Sequence, residues 1–214
     1  MTGGQPMGPA FRCKPGAGPD WRQALVALLG LLLGLTLFIA LERAVTPRYP
    51  LATALDQAIP FIPLSWWAYV LFFPFVVVTA AYAPAQAFSA FKRATALAFV
   101  IACGCFLLFP ESVPRPDPLL IDDAFLRERF IRLWQVDMAA NGFPCLHVAV
   151  TCLAWRMLWG QRLSWLAGTL GLLICLSTLT VKQHTLIDVL GGLLLALLCS
   201  YWARASGGAE RAKA

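Results

Sequence analysis

The chain has 214 residues, of which 59% are hydrophobic and 13% charged, and its mean hydropathy is +0.70. A soluble domain carries about 25% charged residues, so this composition excludes an ordinary soluble core and fits one membrane domain of about six spans. The net charge of +6 is spread over loops beside apolar segments, a pattern that suits topology signals and anionic headgroups and argues against a nucleic-acid partner.

Residues 1–21, rich in Gly and Pro, are expected to form a disordered tail. The first span, residues 24–44, has neither the short length nor the cleavage pattern of a signal peptide and is expected to stay in the membrane. Pro47, Pro50, Pro60 and Pro63 punctuate the connection to span two, which Trp66 and Trp67 open at headgroup level and Pro84 closes just after Tyr82. Lys92 and Arg93 precede span three, which runs to Phe109 and Pro110. In the long loop 111–143, the periodicity of residues 122–138 puts Leu126, Phe130, Leu133 and Trp134 on one face. It predicts a helix that either lies along the bilayer surface or packs on the spans. Span four starts at Pro144, a residue favoured in a first helical turn, and ends near Trp159 and Gly160. Span five covers 163–181, span six 184–202, and 205–214 form a polar tail. The expected fold is therefore all-α: a polytopic membrane domain over 22–204, with six transmembrane helices and an interfacial helix between spans three and four.

Orientation follows from the basic residues. The side holding both termini and the loops after spans two and four carries ten Lys and Arg and two acidic residues, against seven and nine on the other side. The positive-inside rule then places the termini in the cytoplasm, and the starts of spans four and six on the outer face.

The two histidines of the chain, His147 and His184, fall at those two starts, on one side of the membrane. An imidazole titrates near neutral pH and serves as nucleophile or general acid. One histidine at a helix end is usually a bland interfacial residue; a pair at equivalent ends of separate helices points to a site. Asp188 lies four residues after His184, on the expected same helical face. A carboxylate in an apolar helix costs several kcal/mol without a partner. By accepting from His184 Nδ1 it would fix the tautomer and leave Nε2 free to attack; the plainer alternative is a His–Asp pair that only staples two helices. The run Asn141-Gly-Phe-Pro-Cys145 leads into a helix N-terminus, whose free N–H groups favour phosphate. Lys182 and Arg115 are candidate cations for the same anion, and Gly191-Gly192 would let a neighbouring helix approach closely. Of the seven cysteines, Cys145 alone sits beside this chemistry; no CxxC pair marks a zinc site, and the sequence offers no carboxylate cluster for magnesium.

Residues 141–150, NGFPCLHVAV, and 177–192, STLTVKQHTLIDVLGG, resemble the second and third motifs of the type 2 phosphatidic acid phosphatase superfamily, usually Pro-Ser-x-His and a segment ending His-x3-Asp. The resemblance implies a six-span enzyme with no metal or cofactor. His184 would attack phosphorus to give a phosphohistidine, Asp188 would orient it, and His147 would protonate the leaving alkoxide and later activate the acceptor. Lys182, Cys145, Asn141, Ser177 and Arg115 would bind the substrate, a phospholipid or lipid phosphate. Departures from the pattern are specific. The first motif, Lys-x6-Arg-Pro, is absent, with only Arg115-Pro116 resembling its end; Thr178 stands where the third motif has arginine, and Cys145 where the second has serine. This is closer to the inositol phosphorylceramide synthase and sphingomyelin synthase branch, which moves a phosphorylated headgroup to another alcohol. Water or a lipid alcohol as acceptor both stay open, as do oligomeric state and pathway. A bacterial inner membrane is the expected location. Two further readings compete: a non-catalytic lipid-binding scaffold of the same fold, which has no need of two histidines and the aspartate, and a proton relay in a transporter, against which the lack of an internal repeat counts.

Overall fold

Long apolar runs can satisfy their backbone inside a bilayer only as helices or closed barrels, and in this chain they form helices. A computed structural model of the protein describes residues 18–138 and 140–211, and among these it contains α-helices, short 3₁₀ turns and no strand. Helix α1 (Trp21–Glu42) begins where the Asp20 carboxylate accepts the Arg22 and Gln23 N–H groups at 3.0 and 3.2 Å, an N-cap. After it comes α2 (Ala54–Ala58), closed by a capping box between Thr53 and Asp56. Span two is broken into α3 (Trp66–Val70) and α4 (Phe72–Tyr82). Pro74 has no N–H for the Val70 carbonyl, which accounts for the break. Helix α5 (Ala85–Leu108) starts eight residues before the expected boundary at residue 93. The reason is that Arg93 turns along the helix, donating to Ser89 Oγ and to the Ala203 carbonyl.

Helix α6 (Ala124–Val136) is capped by Asp123. It buries Leu126 and Phe130, with Leu133 and Trp134 half-buried, against Tyr69, Ile121 and Val181. That is the face the periodicity predicts, and it packs on the helices. The last three helices are α7 (Leu146–Met157), α8 (Ser164–Thr180) and α9 (Leu186–Arg211). Pro144 is not in the first turn of α7: it lies just before the N-cap Cys145, after a cis Phe143–Pro144 bond. Likewise α9 runs through the expected tail as far as Arg211. The expected disordered segment 1–17, with Cys13, lies outside the described residues, as do 212–214.

Among the described residues, four helical segments are long and apolar enough to cross a membrane: Trp21–Glu42, Pro63–Tyr82, Ala85–Leu108 and Leu186–Ser206. Helices α7 and α8 are apolar but shorter, at 12 and 17 residues. The centre is α7, which packs on α4, α5, α8 and α9, while α5 packs on α9 and α1 on α4 and α5. Ala94, Ala98 and Ala102, four residues apart on α5, are almost wholly buried and let its neighbours come close. The expected role of the glycine pair holds as well. A Cβ on Gly191 would lie 2.6 Å from Phe143 Cε2, and one on Gly192 would lie 2.5 Å from the Cys145 carbonyl oxygen. Helix α1 is the outlier, with only 11% of its membrane-length window buried.

Candidate active site

The candidate site forms where the loop before α7 meets the loop before α9. The sequence His184-Thr-Leu-Ile-Asp188 starts a helix in a specific way. Thr185 is the residue before α9, and its N–H donates to Asp188 Oδ2 at 2.7 Å while the Asp188 N–H reaches back to Thr185 Oγ1 at 3.4 Å. This is a capping box. His184 therefore stands outside the helix, not on its face, and meets Asp188 because the chain turns there. Its Nδ1 lies 3.5 Å from Asp188 Oδ2, close enough for an ionic contact. Asp188 is fully buried, and its backbone carbonyl accepts the Cys145 N–H at 3.0 Å, which ties the two loops together.

His147, the second residue of α7, is held by aromatic packing. Its ring stacks on Tyr69 with centroids 4.6 Å apart and leans on Phe72 at 4.4 Å. The two imidazoles face each other with centroids 6.1 Å apart. His147 Nε2 is buried with no hydrogen-bond partner, an arrangement that leaves it free for a reacting group. Both histidines line one cavity of about 570 Å³ that continues between α1, α4 and α5, with Tyr69, Asp137 and Asn141 also on its wall. Asn141 donates from Nδ2 to the Phe38 carbonyl at 3.2 Å, and its Oδ1 is buried and unpaired.

The other expected substrate-binding residues are distributed differently. Cys145 is the N-cap of α7, its sulfur accepting from the Val148 N–H at 3.4 Å, so it takes the local role that serine takes at helix starts. Arg115 lies beside the site but is engaged: it pairs with Asp137 Oδ1 at 2.7 Å and donates to the Trp134 carbonyl at 3.2 Å. With its amide set to match its neighbours, Gln183 donates to Asp137 at 3.2 Å and accepts from the Trp134 indole at 2.7 Å. Lys182 turns away from the cavity. Its ammonium donates to the carbonyls of Asp56 and Ile59, on the α2 segment. The Asp56 carboxylate in turn accepts the Leu186 N–H at 2.6 Å. The hydroxyl of Ser177 donates to the Ile174 carbonyl of its own helix and does not face the cavity.

Two residues at the site escape a reading of the sequence. One is Thr185, for which the Thr-x-x-Asp spacing before an apolar run is a readable signal. The other is Glu111, fully buried, which accepts from Thr185 Oγ1 at 3.3 Å. Gly142 makes room for it, since a Cβ there would fall 1.9 Å from Glu111 Oε2 and 3.1 Å from Asp188 Oδ2. Burial, then a hydrogen bond and the charge of Asp188, push the Glu111 carboxyl up to about 9. At neutral pH it is a protonated donor beside the aspartate, not a second anion. Nothing in sequence marks an acid just after Phe109-Pro110 as different from any span-end residue. Among the described residues, no group of three or more His, Cys, Asp or Glu side chains is placed to hold a metal ion.

No curated protein and no solved structure matches the chain. A family model described as the PAP2 superfamily matches residues 37–202, which takes in both histidines, Asp188 and Glu111. That match covers well over half of the chain, and the chain belongs to the PAP2 superfamily.

Proposed function

We propose that the protein is a membrane-embedded lipid phosphatase or lipid phosphotransferase that works through a phosphohistidine on His184. The superfamily usually carries phosphatase activity, which supports the reaction class. The observation that carries the reading is the placing of both histidines on one cavity, 6.1 Å apart, with Asp188 behind His184. His184 Nε2 attacks phosphorus and the bond to the leaving alkoxide breaks, the alkoxide taking a proton from His147. In the second half, His147 removes a proton from the acceptor hydroxyl, whose oxygen attacks phosphorus and releases His184. Asp188 holds the tautomer and stabilises the imidazolium that forms. The N-terminus of α7, behind Cys145, and the remaining N–H of the Asn141 amide orient the phosphoryl oxygens, and Arg115 adds positive potential from behind the Asp137 carboxylate.

In this reading α7 and α8 complete a six-span domain over 22–204, and α6 lies at the interface. The distribution of Lys and Arg supports cytoplasmic termini and a site on the outer face of the membrane. Thr178 and Cys145 in place of arginine and serine support a place near the inositol phosphorylceramide synthase and sphingomyelin synthase branch.

The test follows a radiolabelled phospholipid panel with purified protein in mixed micelles, with and without diacylglycerol or ceramide. A new phospholipid formed only with acceptor makes the protein a transferase; free phosphate from a monoester makes it a phosphatase. Either product is expected to fall at least about 10³-fold in His184→Ala. Wild-type turnover by a folded His184→Ala protein would sink the mechanism.

A further inference from the structure

We propose that the cavity is a sleeve for one acyl chain of the lipid substrate, and that Gly30 and Gly34 on α1 set how long a chain it accepts. This rests on the proposed reaction, because it seats the headgroup at the two histidines. The cavity begins at His147 and His184 and runs between α1, α4 and α5 as far as Val26 and Lys92. Along α1 it is lined from Ile39 to Val26, a rise of about 20 Å. One leaflet of hydrocarbon is about 15 Å deep. A single chain hanging from a headgroup at the histidines therefore fits along its length. Polar side chains are few on its wall, and between the ends only Thr95, one turn in from Lys92, interrupts the apolar lining. Asp137 and Asn141 lie beside the histidines, and Lys92 stands at the far end, where an ammonium makes a poor neighbour for a terminal methyl.

The glycines carry the length argument. Gly in a helix interior is destabilising, and it is kept where something needs the space. No protein atom needs the space at Gly30: a Cβ there would meet nothing within 4 Å, and at Gly34 only Phe99 Cε2 at 3.7 Å. What the missing side chains leave is cavity. The spacing Gly-x3-Gly also serves helix pairing, but both glycines line the cavity between α1 and α5. Counting inward from Ile39, Gly34 lies about 7 Å and Gly30 about 13 Å down the sleeve, so a bulky side chain at each would stop the chain at a different depth.

The experiment compares phosphatidic acids with octanoyl, lauroyl and palmitoyl chains on the wild type, Gly30→Phe and Gly34→Phe. Gly30→Phe is expected to lower the palmitoyl-to-octanoyl rate ratio at least about tenfold. Gly34→Phe is expected to lower the lauroyl-to-octanoyl ratio as well. A second measurement needs no turnover: phosphatidic acid with a diazirine at the end of one palmitoyl chain is irradiated with the wild type. Saturable labelling near one lipid per protein, on the Phe88 and Phe91 segment and lost in Gly30→Phe, supports the sleeve. If the wild type labels there yet turns over no lipid, the sleeve stands and the proposed reaction fails. If lipids are turned over but ratios and labelling ignore both substitutions, the reaction stands and the sleeve is overturned. Disulfide-linked dimers through Gly30→Cys would assign the glycine face to a second copy and overturn it too.

Discussion

Glu111 and Asp188 share a space too dry for two negative charges, and the fold resolves the conflict by leaving the proton on Glu111. Its carboxyl ordinarily titrates at 4.5 and is pushed to about 9 here, burial coming first and Asp188 next. Between those values the folded protein keeps a proton that the unfolded chain releases, so this group's contribution to stability shrinks as pH rises through the window. Glu111→Gln replaces the protonated acid by a neutral amide and removes that dependence. Melting in detergent is expected to show the variant gaining on the wild type between about pH 5 and about pH 8. A melting difference that stays constant with pH would mean that Glu111 titrates like an exposed acid. The catalytic candidates were legible because a histidine pair and an aspartate are conspicuous in so apolar a chain. Glu111 was not, because its role depends on Gly142 admitting its carboxyl from 31 positions away.

At the scale of elements, helix starts decide where the chemistry sits. The apolar runs that begin at residues 144 and 184 locate α7 and α9, and both helices begin within two residues of the expected positions. The role of α2 was illegible, since five residues between prolines carry no periodicity to read. It clamps the loop bearing His184 from both sides: Asp56 accepts from Leu186 N–H, and Lys182 donates to the Asp56 and Ile59 carbonyls. Lys182 does so from a left-handed backbone, φ 56°, a conformation costly to a residue with a side chain. Burial lowers the pKa of its ammonium although Asp56 works against this, which fits a cation spent on carbonyls. Lys182→Ala is therefore expected to cost about 1–2 kcal/mol of stability, seen as a lower melting temperature with reduced kcat. A rise in KM alone, with melting unchanged, would return Lys182 to the phosphate.

For the molecule as a whole, hydropathy located every apolar helix but could not say how tightly each is held. Helix α7 contributes 12 residues to the middle of the bundle, about 18 Å against about 30 Å of hydrocarbon. Helix α1, the most hydropathic of the long helices, is the one that protein contacts hold least. Its 22 residues extend about 33 Å, so its tilt is left largely to the thickness of the surrounding lipid. By contrast Arg93, in the first half of α5, is bonded to the Ala203 carbonyl in the last part of α9. Spin labels near Val26 and Ala96, in nanodiscs of short- and long-chain lipid, are expected to change separation with thickness. Labels bridging α5 and α9 are expected to hold theirs. The wall of the cavity with the least protein behind it would then act as a gauge of its host bilayer, matching the chains that enter to the chains already there.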